Sequence, residues 1–452
     1  MTGMTGIFRA LIVAALAAAM LGGCAETSLP EATGKGTINM INAMPASPSV
    51  AFLIEERILG GVAYKVAHGA QSFDDLTYNF NFEYIVPGDT APIRTATAFL
   101  DVVADNEYTF VLTGSVTAPD VTLWERPQRD WSGTETVFEA GIAHLSPALG
   151  GVDLYFATTG TAPVLGEARA KLSFGERMPE IDLENGEYEF IITARDDPDM
   201  ILYQSGPVTY SARVSYVQAI FDADASITGN IAVRSISSLG ISSELPDANS
   251  LPTVRTVHAA FGTENIDIYG DDDFTAPIFS NLGFDETTGD LPLPAGTVNY
   301  TYTAVGNPGV IIDEELLVLS QGQRISSFLA GLPGTDLLRI ILTDNRRSIE
   351  THAKLRLIEA AANFDAMDLY LVDTGTDIAD IDPFVAGLTF TFVSDFGPTI
   401  PGNYDLILTL PGEKTLIAGP IPLDLVNGDV VELLIIDTVD PMIAAVAVTR
   451  FQ

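Results

Sequence analysis

The 452-residue sequence holds one cysteine, two tryptophans and four histidines. A single cysteine excludes an internal disulfide, so the fold must be held by burial alone. The usual zinc patterns are missing: there is no Cys pair, no His-Glu-x-x-His and no dense His/Asp cluster. Also absent are a Gly-x-Ser-x-Gly elbow and a phosphate-binding loop. Positive charge is scarce, with 22 Lys and Arg against 60 Asp and Glu, a formal net charge of −38. Nucleic acid and anionic headgroups are poor partners for such a surface. The acid is spread thinly, which suits a solubility device, with cation binding as the second reading. Beyond residue 35 no run of twelve or more shows helical periodicity. What is present is 47% hydrophobic residues, enough for packed cores, and 39 glycines with 26 prolines to end many short strands.

The cysteine has a distinctive setting. Arg9 is the only charged side chain before Glu26, and Ala10 to Ala25 is uncharged and mostly apolar. That is short of the roughly 20 residues a membrane-spanning helix needs, and it suits the apolar region of a secretory signal. It runs into Leu21-Gly22-Gly23-Cys24, which resembles the lipobox of bacterial lipoproteins. The resemblance implies a signal peptide over residues 1–23 and lipid attachment at Cys24. Acyl chains, at about 0.8 kcal/mol per buried methylene, would join the chain to a membrane. Ala25 follows the cysteine, and by the same resemblance this favours the outer membrane, on its periplasmic face or at the cell surface. A buried free thiol is the competing reading. Residues 24–35, small and polar, read as a tether.

Self-similarity organises the remainder. Aligning Asn42, His144, His258 and Glu359 places Ala51, Asp153, Asp267 and Asp368 nine residues later. The last three second strands read Val-Asp-Leu-Tyr, Ile-Asp-Ile-Tyr and Met-Asp-Leu-Tyr. Further anchors lie around Tyr188, Tyr300 and Tyr404, with a poorer match near Tyr84. The pitch is 102, 114 and 101 residues, the size of a domain. Within a copy the pattern is period two. Copy two yields seven runs, near 136–145, 151–158, 168–174, 187–194, 200–209, 212–221 and 230–236. In Ala353–Glu359, Leu355 and Leu357 alternate with Lys354, Arg356 and Ile358.

The expected fold is all-β: four tandem immunoglobulin-like, about seven-stranded β-sandwich domains after a signal peptide. Their expected ranges are 36–132, 133–245, 252–349 and 350–452. The stretch from Ser237 to Pro252 reads as the hinge between copies two and three. Copies three and four, joined with little slack, are expected to dock as a stiff pair.

These repeats resemble the bacterial "domain of unknown function 4397" family. Copy three carries the resemblance best, through Arg255, His258, Ala259, Asp267 and Tyr269. Copy four has Glu359 for the histidine, and copy one lacks the aspartate. The resemblance implies tandem sandwich domains on exported proteins and envelope lipoproteins, and no activity.

Candidate chemistry is thin. His144 and His258 hold equivalent places in different copies and read as strand-end histidines bonded to a nearby loop. His68 and His352 have no repeated place. Asp153, Asp267 and Asp368, each with a tyrosine two places on, allow acid–base work. Their recurrence favours a fold role, accepting backbone N–H bonds from the preceding loop. Asp271–Asp273 and Asp196, Asp197 and Asp199 read as solvated turns before calcium sites. Trp124 and Trp131 could stack on sugar rings or pack between domains. No catalytic, cofactor-binding or metal residue is assigned, and Cys24 is the one site.

The expected function is a non-enzymatic, lipid-anchored cell-envelope protein acting as a spacer or an adhesion and binding surface. Four sandwiches end to end, at about 40 Å each, would reach roughly 150 Å. The alternative is a glycan- or peptide-binding module whose copies add avidity. Beyond the membrane lipid, the expected partner is an extracellular glycan or protein.

Overall fold

The computed structural model describes residues 31–238, 240–334 and 337–451. The expected signal peptide and Cys24 lie outside the described residues. Every described element is a strand, and the strands form eight sheets that pair into sandwich-like units.

The first unit holds β1 (Lys35–Asn42), β2 (Val50–Ile54), β3 (Arg57–Val62) and β4 (Gln71–Asp74), then β5 (Thr77–Tyr84), β6 (Ile93–Asp101), β7 (Asn106–Ser115) and β8 (Ala118–Pro127). One sheet runs in the order β4-β1-β7-β8 and the other β3-β2-β5-β6. β1 lies parallel to β7, with Thr37 opposite Glu107, and the other pairings are antiparallel. Alternation sets the faces. Ile38 and Met40 of β1 and Phe80 and Phe82 of β5 enter the core between the sheets. There Phe52 stacks on Phe80 and Phe82 at 5.6 Å.

The same strand order recurs in the units starting at Val137, Thr253 and Ala353. Each has eight strands, and the unit from Val137 has a ninth, Ser242–Leu245. This differs from the expected seven-stranded immunoglobulin layout. Immunoglobulin sheets order as ABED and CFG, whereas lettering these strands in sequence gives DAGH and CBEF. The strand missed in copy two is Arg177–Glu184, whose Pro179 and acids hide its alternation. It is an edge strand with a register shift between Met178 and Ile181, where proline is tolerated.

Units pair through a second buried face. On the outer side of the β1 sheet, Ile41, Ala43, Tyr64 and Val111 pack against Ala143, Ala219, Phe221 and Ile236 of the second unit. Val257, Ala259 and Phe328 of the third unit pack likewise on Ile358, Leu434 and Ile436 of the fourth. This explains why all of Ala353–Glu359 is buried, Lys354 and Arg356 included. The polar side of that alternation faces another unit, not solvent.

The stretch read as a hinge is built in. Ser242–Leu245 pairs with the second unit's edge, and Ile227 bridges to Gln323 of the third. The segment leading into the fourth unit reaches back to the first: Arg347 Nη1 donates to Pro45 O at 3.0 Å and to Ser47 O at 2.8 Å. These contacts make a block of paired units rather than an end-to-end row.

Candidate functional site

Asn42, His144, His258 and Glu359 end the first strand of each unit and share one task. Each side chain accepts the backbone N–H two residues on: Met44 at 3.1 Å, Ser146 at 3.4 Å, Ala260 at 3.3 Å and Ala361 at 2.7 Å. The other ring nitrogen of His144 faces Gly150 O at 3.0 Å, and that of His258 faces Glu264 O at 3.2 Å. Nδ1 as acceptor and Nε2 facing a carbonyl fit the neutral ring with its proton on Nε2. Burial lowers both histidines below their ordinary value, which keeps them neutral. Burial pushes the Glu359 carboxyl up to about 8, and its Oε2 has no partner. A protonated Glu359 therefore takes the place of a neutral histidine. These positions are local ties, as expected of strand-end histidines.

The recurrent aspartates are also tied, to donors other than the preceding loop. Asp267 accepts Asn281 N and Gly306 N, each at 2.8 Å. Asp368 accepts Gly387 N and Gly412 N, each at 2.8 Å. Each aspartate sits where its strand shifts register against the edge strand, between Ile266 and Ile268 or Met367 and Leu369. The carboxylate catches the N–H that the bulge leaves unpaired. Asp153 accepts Asp196 N at 3.2 Å and pairs with Lys171 at 3.1 Å. The tyrosine two places on is buried on the sheet's outer face. Tyr370 packs there with Val372, Ile378 and Ile407, and Lys414 donates to its hydroxyl at 2.9 Å.

The acidic runs are tied mainly to neighbouring strands, with Asp273 alone bonding within its own turn. Asp271 accepts Asn299 N at 3.0 Å, Asp272 accepts Asn299 Nδ2 at 2.7 Å, and Asp273 accepts Thr275 N at 3.1 Å. Asp196 pairs with Lys171. Among the described residues no group of three His, Cys, Asp or Glu is placed to hold a metal. His68 packs edge-on against Phe52, and His352 bonds to the Thr351 hydroxyl at 3.0 Å.

The two seams differ, and that difference marks the strongest candidate site. Arg255 and Arg356, three residues before His258 and Glu359, fill the seam of the third and fourth units. Arg255 meets both oxygens of Glu432, and Arg356 joins Glu432 to Asp344 at 2.7 Å. Burial pushes the Asp344 carboxyl up, but Arg356 and Arg346 beside it prevail and hold it below the usual range. Phe396 lies under Arg356 at 4.3 Å. The equivalent residues in the first seam are Asn39 and Gly141. Neither position carries an arginine, and that seam holds a cleft of about 50 Å³, lined by Asn39, Thr109, Trp124, Arg126, Arg177 and Glu180 among others. Arg126 pairs with Glu107 at 2.5 Å and Glu139 at 2.9 Å, and Arg177 with Glu180. Trp124 lies under Arg177 at 5.1 Å, and Trp131 under Arg129 at 4.0 Å. Asn39 Oδ1 and Arg177 Nε have no partner among the described residues. Sequence reasoning singled out Trp124 but not the arginines and glutamates around it, because nothing in the chain order shows that two outer sheet faces meet.

Geometry and repetition together define a tandem β-sandwich protein whose recurrent polar residues serve the fold. A family model described as a domain of unknown function, DUF4397, matches residues 36–155 and 252–370. The matches span more than half of the chain, and the protein belongs to that family. A search of curated proteins finds no match.

Proposed function

We propose that the protein is a non-enzymatic envelope lipoprotein. Four tandem sandwiches are held to the outer membrane by an acylated Cys24 and serve as a short spacer or as an adhesion and binding surface. The observation that supports this most is the binding of each recurrent histidine and aspartate to backbone within its own unit. The residues that repetition singles out are therefore spent on the fold. The lipobox-like Leu21-Gly22-Gly23-Cys24 supports the anchor. Intact mass spectrometry of the native protein, with Cys24→Ser as control, tests it together with protease shaving of whole cells. Acylation at Cys24 with released fragments places the block outside the cell, and acylation without release places it in the periplasm. An unmodified Cys24 overturns the reading.

The seam cleft favours a second reading, a glycan-binding module. Its charges are largely paired off, while the Asn39 carbonyl and Arg177 Nε lack partners beside Trp124. That set suits a neutral group more than an ion. At about 50 Å³ the cleft takes one hydroxyl-bearing arm of a polyol, with the ring outside it. Two tryptophans make the test direct: saccharide titration should change intrinsic fluorescence in the parent protein and leave Trp124→Phe unchanged. A flat titration across a saccharide panel removes this reading.

A further inference from the structure

Two stretches of the chain share a sequence in one register. Leu245-Pro246-Asp247-Ala248 begins thirteen residues before His258, and Leu29-Pro30-Glu31-Ala32 begins thirteen before Asn42. The second and fourth copies have Trp131 and Arg346 at that offset. The motif therefore precedes only the first and third units.

Ahead of the third unit its role is visible. Ser242–Leu245 adds a fifth strand to the second unit, with Leu245 opposite Val233 and Ser242 opposite Ile236. Leu245 enters that unit's core, and its carbonyl accepts the Tyr203 hydroxyl at 2.6 Å. Ala248 N then donates to Gln204 O at 2.8 Å. Beside this added strand the second unit's turn meets the third unit. Ile227 bridges to Gln323, and Thr228 N donates to Gly322 O at 2.8 Å.

The matching surfaces at the other two ends are open. Ala444–Phe451, the fourth unit's equivalent of Ile231–Ser237, is an edge strand with a neighbour on one side only among the described residues. The turn before it, equivalent to the turn of Ile227, shows Val439 at 91% and Met442 at 65% exposure. On the first unit, the turn equivalent to Ser320–Gln323 presents Val103 at 52%. An unpaired edge is a template for an added strand.

We propose that residues 26–29 of one copy add to Ala444–Phe451 of a second copy, joining the first unit of one to the fourth unit of the other. Leu29 lies opposite Val446 and Thr27 opposite Val448, as Leu245 and Ser243 lie opposite Val233 and Ser235. The occupant is a second copy because Val439 is bare, so the chain's own first unit is not seated there. The contact uses two different surfaces, so it is heterologous and extends as a row. Net charge opposes it, so salt strengthens it.

The test uses the mature sequence from residue 24, with Cys24→Ser to leave no native thiol. Thr27→Cys and Val448→Cys are placed on separate chains, mixed and oxidised. Sedimentation then follows mass against concentration in low and high salt. The expected result is a mixed disulfide dimer of doubled mass, formed in the mixture and not by either variant alone. Association should rise with salt and be lost in Leu29→Asp, which leaves every described contact intact. A monomer at all concentrations with no mixed disulfide overturns the proposal. So does a chain carrying both cysteines that closes only on itself, or association unchanged by Leu29→Asp.

Discussion

Arg255 and Glu432 stand 177 positions apart and meet as a two-pronged ion pair, at 2.8 and 2.9 Å, buried between the third and fourth units. Removing one partner of a buried pair strands the other charge, a loss of about 3–5 kcal/mol. Glu432→Ala strands Arg255 and weakens the hold on Arg356. Denaturant unfolding should show the loss as an earlier first transition. Replacing Arg255 by Met and Glu432 by Leu together should recover the share due to the stranded Arg255, because well-packed apolar groups avoid its desolvation cost. Arg356 keeps Asp344 as its partner.

Glu359 should give stability a pH dependence of its own. Burial raises its carboxyl from 4.5 to about 8, so folding takes up a proton. Its contribution is complete below pH 4.5 and falls as pH rises toward about 8. Glu359→Gln keeps an acceptor for Ala361 N and cannot ionise. In thermal melts across this range, the gain of Gln over Glu should grow with pH. A constant difference would refute a buried proton.

His144 and His258 lean the other way. Burial depresses both below 6.5, so their contribution is present above that pH and is lost as pH falls through their folded values. Because Asn42 performs the same task in the first unit, His258→Asn should be mild. His258→Leu leaves Ala260 N without its acceptor and should cost about 1–3 kcal/mol, measurable by chemical denaturation.

How much of this was legible in the sequence depends on what covers each strand. The repeat, the period-two runs and the sandwich class follow from residues that face their own unit's core, such as Val152 and Leu154. Arg356 reads as solvent-facing because alternation records one buried face, and a second sheet from another unit covers the other. Ser242–Leu245 reads as linker because its serines and glutamate have little strand propensity. Pairing with Ile231–Ser237 and the burial of Leu245 override that. The shared offset of Leu29 and Leu245 was present in the sequence, but its meaning needed the strand that Leu245 makes.

Asp267 offers a test of the bulge. Asp267→Ala leaves Asn281 N and Gly306 N without their carboxylate. At roughly 1.5–3 kcal/mol for each hydrogen bond to a charged group, the loss should be severe. Asp267→Asn should be intermediate. Hydrogen exchange should show the loss first at the strand Phe279–Leu282. Unchanged protection there would exclude the capping role.

The second buried face decides what piece of this chain can travel. Dividing the first unit from the second would bare Ile41, Ala43 and Val111 on one fragment and Ala219 and Phe221 on the other. Each would be a sticky apolar sheet. The family matches follow the same grain, each starting at the first member of a pair and running into the opening strands of the second. Duplication or recombination can therefore shuffle whole pairs without creating an insoluble product. A gene encoding an odd number of sandwiches would carry one face with nothing to cover it.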